Sequence, residues 1–225
     1  MIDLHGFTGQ LAAGAATTLT LAATSLAFGI GIGLCGAIAR QSAVPMIRAA
    51  VDLYTTVIRG IPELLIILIL YFGGTAALTT LLGRYAEVDA FTSGVFALSL
   101  VFGAYAAEVF RAAIRAVPVG QIEAARALGL RGSLIWRFVI LPQMWRHALP
   151  GLGNLWLTLL KDTALVSVVG LEDLMRKTAI AAGATHDPLT FYCAAAAIYL
   201  AFTSVSIIGL TQLERGASRG VRFAV

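Results

Sequence analysis

The sequence predicts an all-α membrane protein with about five transmembrane helices. Three observations lead there. Of 225 residues, 59% are hydrophobic and only 12% charged, where a soluble domain carries about 25% charge. Uncharged runs recur at the length of roughly 20 residues that a helix needs to cross a bilayer. The arginines collect in alternate connections between those runs. Nothing is left over for a soluble domain of useful size. The chain therefore reads as one transmembrane domain over residues 1–225, with its core at about 13–213, a long polar connection at about 115–147 and a short basic tail at 214–225.

The first apolar run, Gly6 to Ala39, is too long for a signal-peptide core, and the ten residues at the start carry Asp3 and no Lys or Arg, unlike a secretory leader. It is rich in small residues, with Gly29-x3-Gly33 and then Gly36 along one side. Such stripes let helices approach closely in lipid, and packing within the chain is preferred here to a dimer contact. The mixed segment Ala49 to Glu63 ends in Arg59-Gly60-Ile61-Pro62-Glu63. Proline removes a backbone donor and disfavours helix at the residue before it. A bend or a fresh helix start is expected at Pro62, with Glu63 in the first turn at the positive end of the helix dipole. Two readings stand side by side: a membrane-entry helix whose charges snorkel, or a hinge at Gly60 and Pro62.

The second span is expected over Leu64 to Gly83 and a short loop over Gly83 to Asp89. The third starts at Ala90, and at its far end Glu108 and Arg111 stand at i, i+3, a spacing that allows a pair on one helical face. In the connection that follows, Gln121 to Leu130 reads as a short helix. Ser133 is placed to cap a second helix that Pro142 would end, with Leu134, Ile135, Phe138, Val139 and Leu141 on its apolar side. The fourth span, Ala148 to Leu171, is interrupted by Lys161-Asp162. Ionisable groups at membrane depth are costly and point to function by default. The alternatives are a structural tie, a role in gating or the substrate route, and displacement of the span toward an interface. The fifth span is Pro188 to Leu213. Arginines follow the first span (Arg40, Arg48), fill the connection between the third and fourth (Arg111 to Arg146) and recur in the tail (Arg215, Arg219, Arg222). By the positive-inside tendency the N-terminus is periplasmic and the C-terminus cytoplasmic, as an odd number of spans requires.

Several chemistries are excluded. Cys35 and Cys193 both fall inside spans, so neither a disulfide nor a metal site is expected. His5, His147 and His186 lie in separate connections without ligand spacing. Lys177-Thr178 follows Arg176, where a phosphate loop needs glycine, and neither Gly-x-Ser-x-Gly nor His-Glu-x-x-His occurs. The arginines are spread over several connections without interleaved aromatics, which argues against nucleic acid. This chain is not expected to be an enzyme or to bind a cofactor itself.

The residues that carry function lie in the polar connection. Glu123-Ala124-Ala125-Arg126-Ala127-Leu128-Gly129, followed by Val139-Ile140-Leu141-Pro142, is a small-residue helical knob suited to docking. With Val139 in place of the usual isoleucine, it resembles the signature loop of ABC importer membrane subunits. Arg59 to Glu63, Leu141 to Gly151, Gly153-Asn154 and Lys161-Asp162-Thr163-Ala164-Leu165-Val166-Ser167 extend the resemblance over nearly the whole chain, toward the polar amino-acid permeases for histidine, arginine, lysine, ornithine and opines. The resemblance implies a type I ABC importer permease fold in a bacterial inner membrane. It implies a dimer of cytoplasmic ATPases that binds ATP and Mg, a second homologous permease, and a periplasmic substrate-binding protein. Glu123, Ala124, Ala125, Gly129 and Leu130 would form the coupling helix. Asn154, Lys161, Asp162 and Thr163 are candidates for the substrate pathway or its gate. Some relatives that take cationic amino acids carry an acidic residue directly after Gly-Asn, where this chain has Leu155. That departure favours a heterodimer, in which the partner permease supplies the acid, over a homodimer. An ion-coupled carrier using Glu108, Lys161 and Asp162 lacks the internal inverted repeat common in that class. A passive membrane anchor would leave the docking loop and the buried charges without a purpose.

Overall fold

The computed structural model describes residue 4 and residues 6–217, and every regular element among them is helical. Asp3, His5, Arg219 and Arg222 lie outside the described residues. Among the described residues, five helical stretches are long and apolar enough to cross a bilayer: Thr8–Ala39, Glu63–Leu82, Ala90–Arg115, Gly132–Val169 and Pro188–Ala217. The first is α1. An amphipathic helix, α2 (Pro45–Gly60), then leads into the second, built from α3 (Glu63–Leu68), a π turn (Ile69–Gly73) and α4 (Gly74–Leu82). The third is α5 (Ala90–Arg115). The short α6 (Val119–Ala127) precedes the fourth, made of α7 (Gly132–Ile135), a π turn (Trp136–Ile140), α8 (Leu141–Asp162) and a 3₁₀ stretch (Thr163–Val169). Helix α9 (Leu174–Thr185) connects to α10 (Pro188–Ala217).

The third span is the centre of the molecule, 67% buried over its apolar window, whereas α3–α4 and α10 are only 11% buried and face outward. Glycine sets the closeness of α1 to α5. A Cβ on Gly33 would lie 2.6 Å from the Cβ of Ala106, and one on Gly103 2.6 Å from Ile32. The stripe read in the sequence thus serves packing within the chain. On the other side α8 closes over α5, with Gly151 against Val109 and the rings of Phe110 and Trp145 edge to face at 5.5 Å.

Local chemistry accounts for most boundaries. Ile61 and Pro62 are extended, α3 restarts at Glu63, and Glu63 occupies its first turn as expected. Asp89 caps α5 by accepting from the Thr92 backbone N–H at 2.8 Å. The connection after α6 departs from expectation. Ser133 does not cap: Arg131 holds the N-cap position and no side chain bonds there. Nor does Pro142 end the helix. It sits in the first turn of α8, directly after a π turn. Proline there lacks an N–H to donate, and the wider turn before it absorbs the lost i to i−4 bond, so the helix continues. The fourth span consequently starts at Gly132 rather than near Ala148.

Candidate functional site

Two helix discontinuities meet on one cavity. The chain breaks at Ile61–Pro62 and delivers Glu63 at the start of α3. α8 tightens into a 3₁₀ stretch directly after Asp162. Both carboxylates line a cavity of about 240 Å³, whose other walls include Thr158, Leu155, Phe102 and Tyr105. Irregular backbone at membrane depth is tolerated where it is buried in protein or lines a wet cavity, and 3₁₀ stretches inside helices often mark hinges. The cavity is of the order of one amino acid in size. It combines two carboxyl groups, the hydroxyls of Thr158 and Tyr105 and two aromatic rings.

The other sequence candidates fall around this cavity in different ways. Lys161 is exposed and not on its wall, as expected for a helical neighbour of Asp162 on another face. Thr163 is fully buried and donates its hydroxyl to the Leu160 carbonyl at 2.8 Å. Asn154 is exposed and outside the cavity, while the adjoining Leu155 lines it. Sequence reasoning placed Glu63 at a helix start without assigning it to a site. Its signal was a carboxylate directly after Pro62 and before an apolar span. With Glu63 present, the wall that Leu155 leaves apolar already faces a second acid from the same chain.

An ion-pair hub lies beyond the Tyr105 side of the cavity. Glu108 takes Arg111, whose Nε donates at 2.8 Å, and also Arg40 from the end of α1. Arg59 from α2 approaches Glu108 at 3.8 Å and lies over the Tyr105 ring at 5.5 Å from its centre. The expected Glu108–Arg111 pair is present. Arg40 and Arg59 tie α1, α2 and α5 together through the same carboxylate, which spacing alone could not show.

The segment expected to dock is built separately. α6 ends in a Schellman turn: the Leu130 N–H donates to the Ala125 carbonyl at 3.1 Å and the Gly129 N–H to that of Arg126 at 2.9 Å. Gly129 has φ +76°, a left-handed conformation that suits glycine. Ala125 is buried among Val117, Ile135 and Ile140, with Leu130 packed against that cluster. Glu123, Ala124 and Gly129 are exposed, as is Leu128 at 81%. One side therefore anchors α6 to the fourth span, and the other presents small residues and one unpartnered leucine.

At the opposite end, Asp173 caps α9 by accepting from the Arg176 backbone N–H at 2.8 Å. It is fully buried, and that burial pushes its carboxyl up to about 6. Nearby, Lys177 donates to Glu172 at 2.6 Å and holds the Glu172 carboxyl below its ordinary range.

Comparison with known proteins assigns the family. Residues 12–219 match the model for the binding-protein-dependent transport system inner membrane component. The chain is 48% identical over 223 residues to the nopaline transport system permease protein NocQ of Agrobacterium fabrum, covering 96% of this chain and 94% of that protein. It is 41% identical over 225 residues to the histidine/lysine/arginine/ornithine transport system permease protein HisQ of Escherichia coli, covering 98% and 99%. Among solved structures, an amino acid ABC transporter with histidines superposes with TM-score 0.84 at 36% identity, over 96% of this chain and 99% of that one. The MetNI methionine ABC transporter shares the fold, at TM-score 0.74 and 20% identity, over 93% and 96%. This chain belongs to the family of binding-protein-dependent transport system inner membrane components.

Proposed function

We propose that the chain is the membrane subunit of an ATP-driven importer for a polar, basic amino acid or amino-acid derivative. The observation that carries this reading is the pair of carboxylates, Glu63 and Asp162, presented by two helix breaks to one amino-acid-sized cavity. A cation entering that space exchanges its hydration for charge-assisted hydrogen bonds, and the aromatic walls favour a cation as well. The identities to NocQ and HisQ support the same substrate class. Asp162 contacts substrate in this account, and Asn154, Lys161 and Thr163 belong to the pathway or gate around it.

The polar stretch 115–147 is cytoplasmic, with the N-terminus periplasmic and the C-terminus cytoplasmic. Glu123, Ala124, Ala125, Gly129 and Leu130 form the coupling helix. A partner ATPase dimer binds ATP and Mg, and this chain binds neither. Closing the ATPase dimer pulls on α6, and because Ala125 anchors α6 to the fourth span, the pull reaches Asp162 through α8. Gly60 and Pro62 act as the hinge that lets α3 move with Glu63 while the Glu108 hub holds α2, a rigid-body switch. A binding protein delivers substrate on the periplasmic side. A second homologous permease completes the pathway, in a heterodimer rather than a homodimer, with Leu155 standing where some cationic amino-acid permeases of the family carry an acid.

The test is uptake of labelled arginine and glutamine by the assembled transporter in proteoliposomes. Losing one hydrogen-bond partner to a charged group costs about 1.5–3 kcal/mol. Glu63→Gln and Asp162→Asn are each expected to raise the KM for arginine by about tenfold or more and to narrow the preference over glutamine, with ATP hydrolysis retained. An unchanged arginine preference in both variants would overturn the assignment of the cavity.

A further inference from the structure

We infer that a groove shared by α1, α2 and α5 holds an anionic phospholipid, with the phosphate headgroup in an arginine-lined cavity and one acyl chain along the apolar wall that adjoins it. The cavity, about 460 Å³, opens where α1 and α5 end and is lined by Arg40, Arg48, Arg111, Arg115, Gln41 and Asp52. Arg40 is committed to Asp52 and Glu108, and Arg111 to Glu108. Among the described residues, neither Arg48 nor Arg115 has an ion-pair partner. Of the four guanidiniums that line the cavity two are thus paired, and those of Arg48 and Arg115 remain facing the space. The two paired arginines are fixed by the hub, so the cavity is preorganised rather than a loose set of surface charges.

What distinguishes this place from an ordinary cluster of loop arginines is the adjoining apolar surface. The same three helices form a second groove of about 410 Å³, walled by Ile32, Cys35, Gly36, Ala50, Tyr54 and Leu100, and its Ala39 and Val51 directly precede Arg40 and Asp52 of the arginine cavity in the chain. Ile32 and Leu100 are shared with a further apolar groove of about 410 Å³ that reaches Phe28 and Phe96. Both phenylalanines are exposed, at 61% and 63%. From Arg40 to Phe28 the helix advances about 18 Å at 1.5 Å per residue, close to half the roughly 30 Å hydrocarbon core. Anionic phosphate at the helix ends and a hydrocarbon chain toward the bilayer centre are the two halves of one molecule. Basic pockets between transmembrane helices bind such headgroups. On the orientation proposed above, this end meets the cytoplasmic leaflet, where anionic lipids are found. A free phosphate would use only the first part of the groove.

The test is to purify the assembled transporter from vesicles of equal phosphatidylglycerol and phosphatidylcholine and to quantify the retained lipid by mass spectrometry. Each arginine near an anionic headgroup contributes about fivefold in affinity. Arg48→Gln with Arg115→Gln is expected to lower the retained preference for phosphatidylglycerol by up to about 25-fold. Arg215→Gln, a same-side charge outside the cavity, should leave that preference unchanged. Cys35→Trp, which fills the apolar groove without touching the arginines, should reduce retention of the lipid itself. The inference is overturned if the wild type shows no phosphatidylglycerol preference, or if the double variant keeps it. Protection of the wild type by inorganic phosphate with no phosphatidylglycerol enrichment would assign the cavity to a free anion and also overturn it. Detachment of the ATPase in the double variant with lipid retention unchanged would make this a protein contact instead. ATP-driven uptake is scored separately, so failure here and failure of the transport reading give different results.

Discussion

Replacing Gly33 with alanine adds one methyl group at one of the tightest points of the α1–α5 seam. The new Cβ would lie 2.6 Å from the Cβ of Ala106 and 3.1 Å from backbone atoms of Ala106 and Ala107. Ordinary carbon contacts are near 3.5–4.0 Å, so the helices must separate by roughly 1 Å or more. Neither neighbour is the far end of a flexible side chain that could turn away. Forcing a methylene into a packed interior costs about 1–3 kcal/mol. Gly31 supplies the control: it lies in the same helix with nothing within 4 Å of its Cβ position. Both substitutions gain similar helix propensity, up to about 1 kcal/mol, so that gain cancels in the difference between them. Gly33→Ala should therefore melt below Gly31→Ala by roughly 2–12 °C, at about 2–4 °C per kcal/mol for a protein of this size. Thermal unfolding of the two variants in the same detergent reads this directly. Equal midpoints would refute the claim that glycine at this position sets the α1–α5 distance.

Other perturbations reach the remaining parts of the structure. Asp173 has a folded-state pKa raised to about 6 by burial, above the ordinary value near 3.9. The folded state holds that proton more tightly, so the stability is fully present below pH about 4 and lost as pH rises through about 6, by about 3 kcal/mol at most. Asp173→Asn keeps the cap and cannot ionise, so its melting curve should lose that pH dependence; a parallel dependence in both proteins would contradict the burial argument. Gly129→Asn tolerates the left-handed turn but adds a side chain to the exposed side of α6. It should leave ATP hydrolysis in place and lower transport per ATP severalfold, whereas normal coupling would remove Gly129 from the docking surface. Leu128→Ser, which removes the exposed leucine without touching the buried Ala125, should weaken co-purification of the ATPase; undiminished capture would show that α6 docks by other contacts.

The spans were legible because a bilayer imposes one simple rule, a run of about 20 apolar residues, and each of the five runs contains a helix. The start at Glu63 was legible too, since proline acts locally. At Ser133 and Pro142 the packing of the connection overrides the local signal. A π turn repairs the proline's missing donor, and its presence depends on how α7 and α8 pack together. Glu63 and Asp162 are 99 residues apart, and only the fold shows that two separate breaks open on one cavity. The same holds for Arg40 and Arg59 at Glu108: an i, i+3 pair can be read from spacing, but partners contributed by other helices cannot. The knob at Glu123–Gly129 stood out by composition. That Ala125 faces inward while Ala124 faces outward follows from the Schellman turn and the cluster beneath it.

The most direct test of the transport reading is to purify this chain with its natural partners, reconstitute the assembly with its binding protein, and follow labelled arginine with ATP present inside or outside the vesicles. The account predicts that an ATPase and a second permease co-purify, and that arginine crosses from the binding-protein side only when ATP is on the side of α6. Accumulation driven by an ion gradient in the absence of any ATPase would contradict it and would make the chain a carrier in its own right.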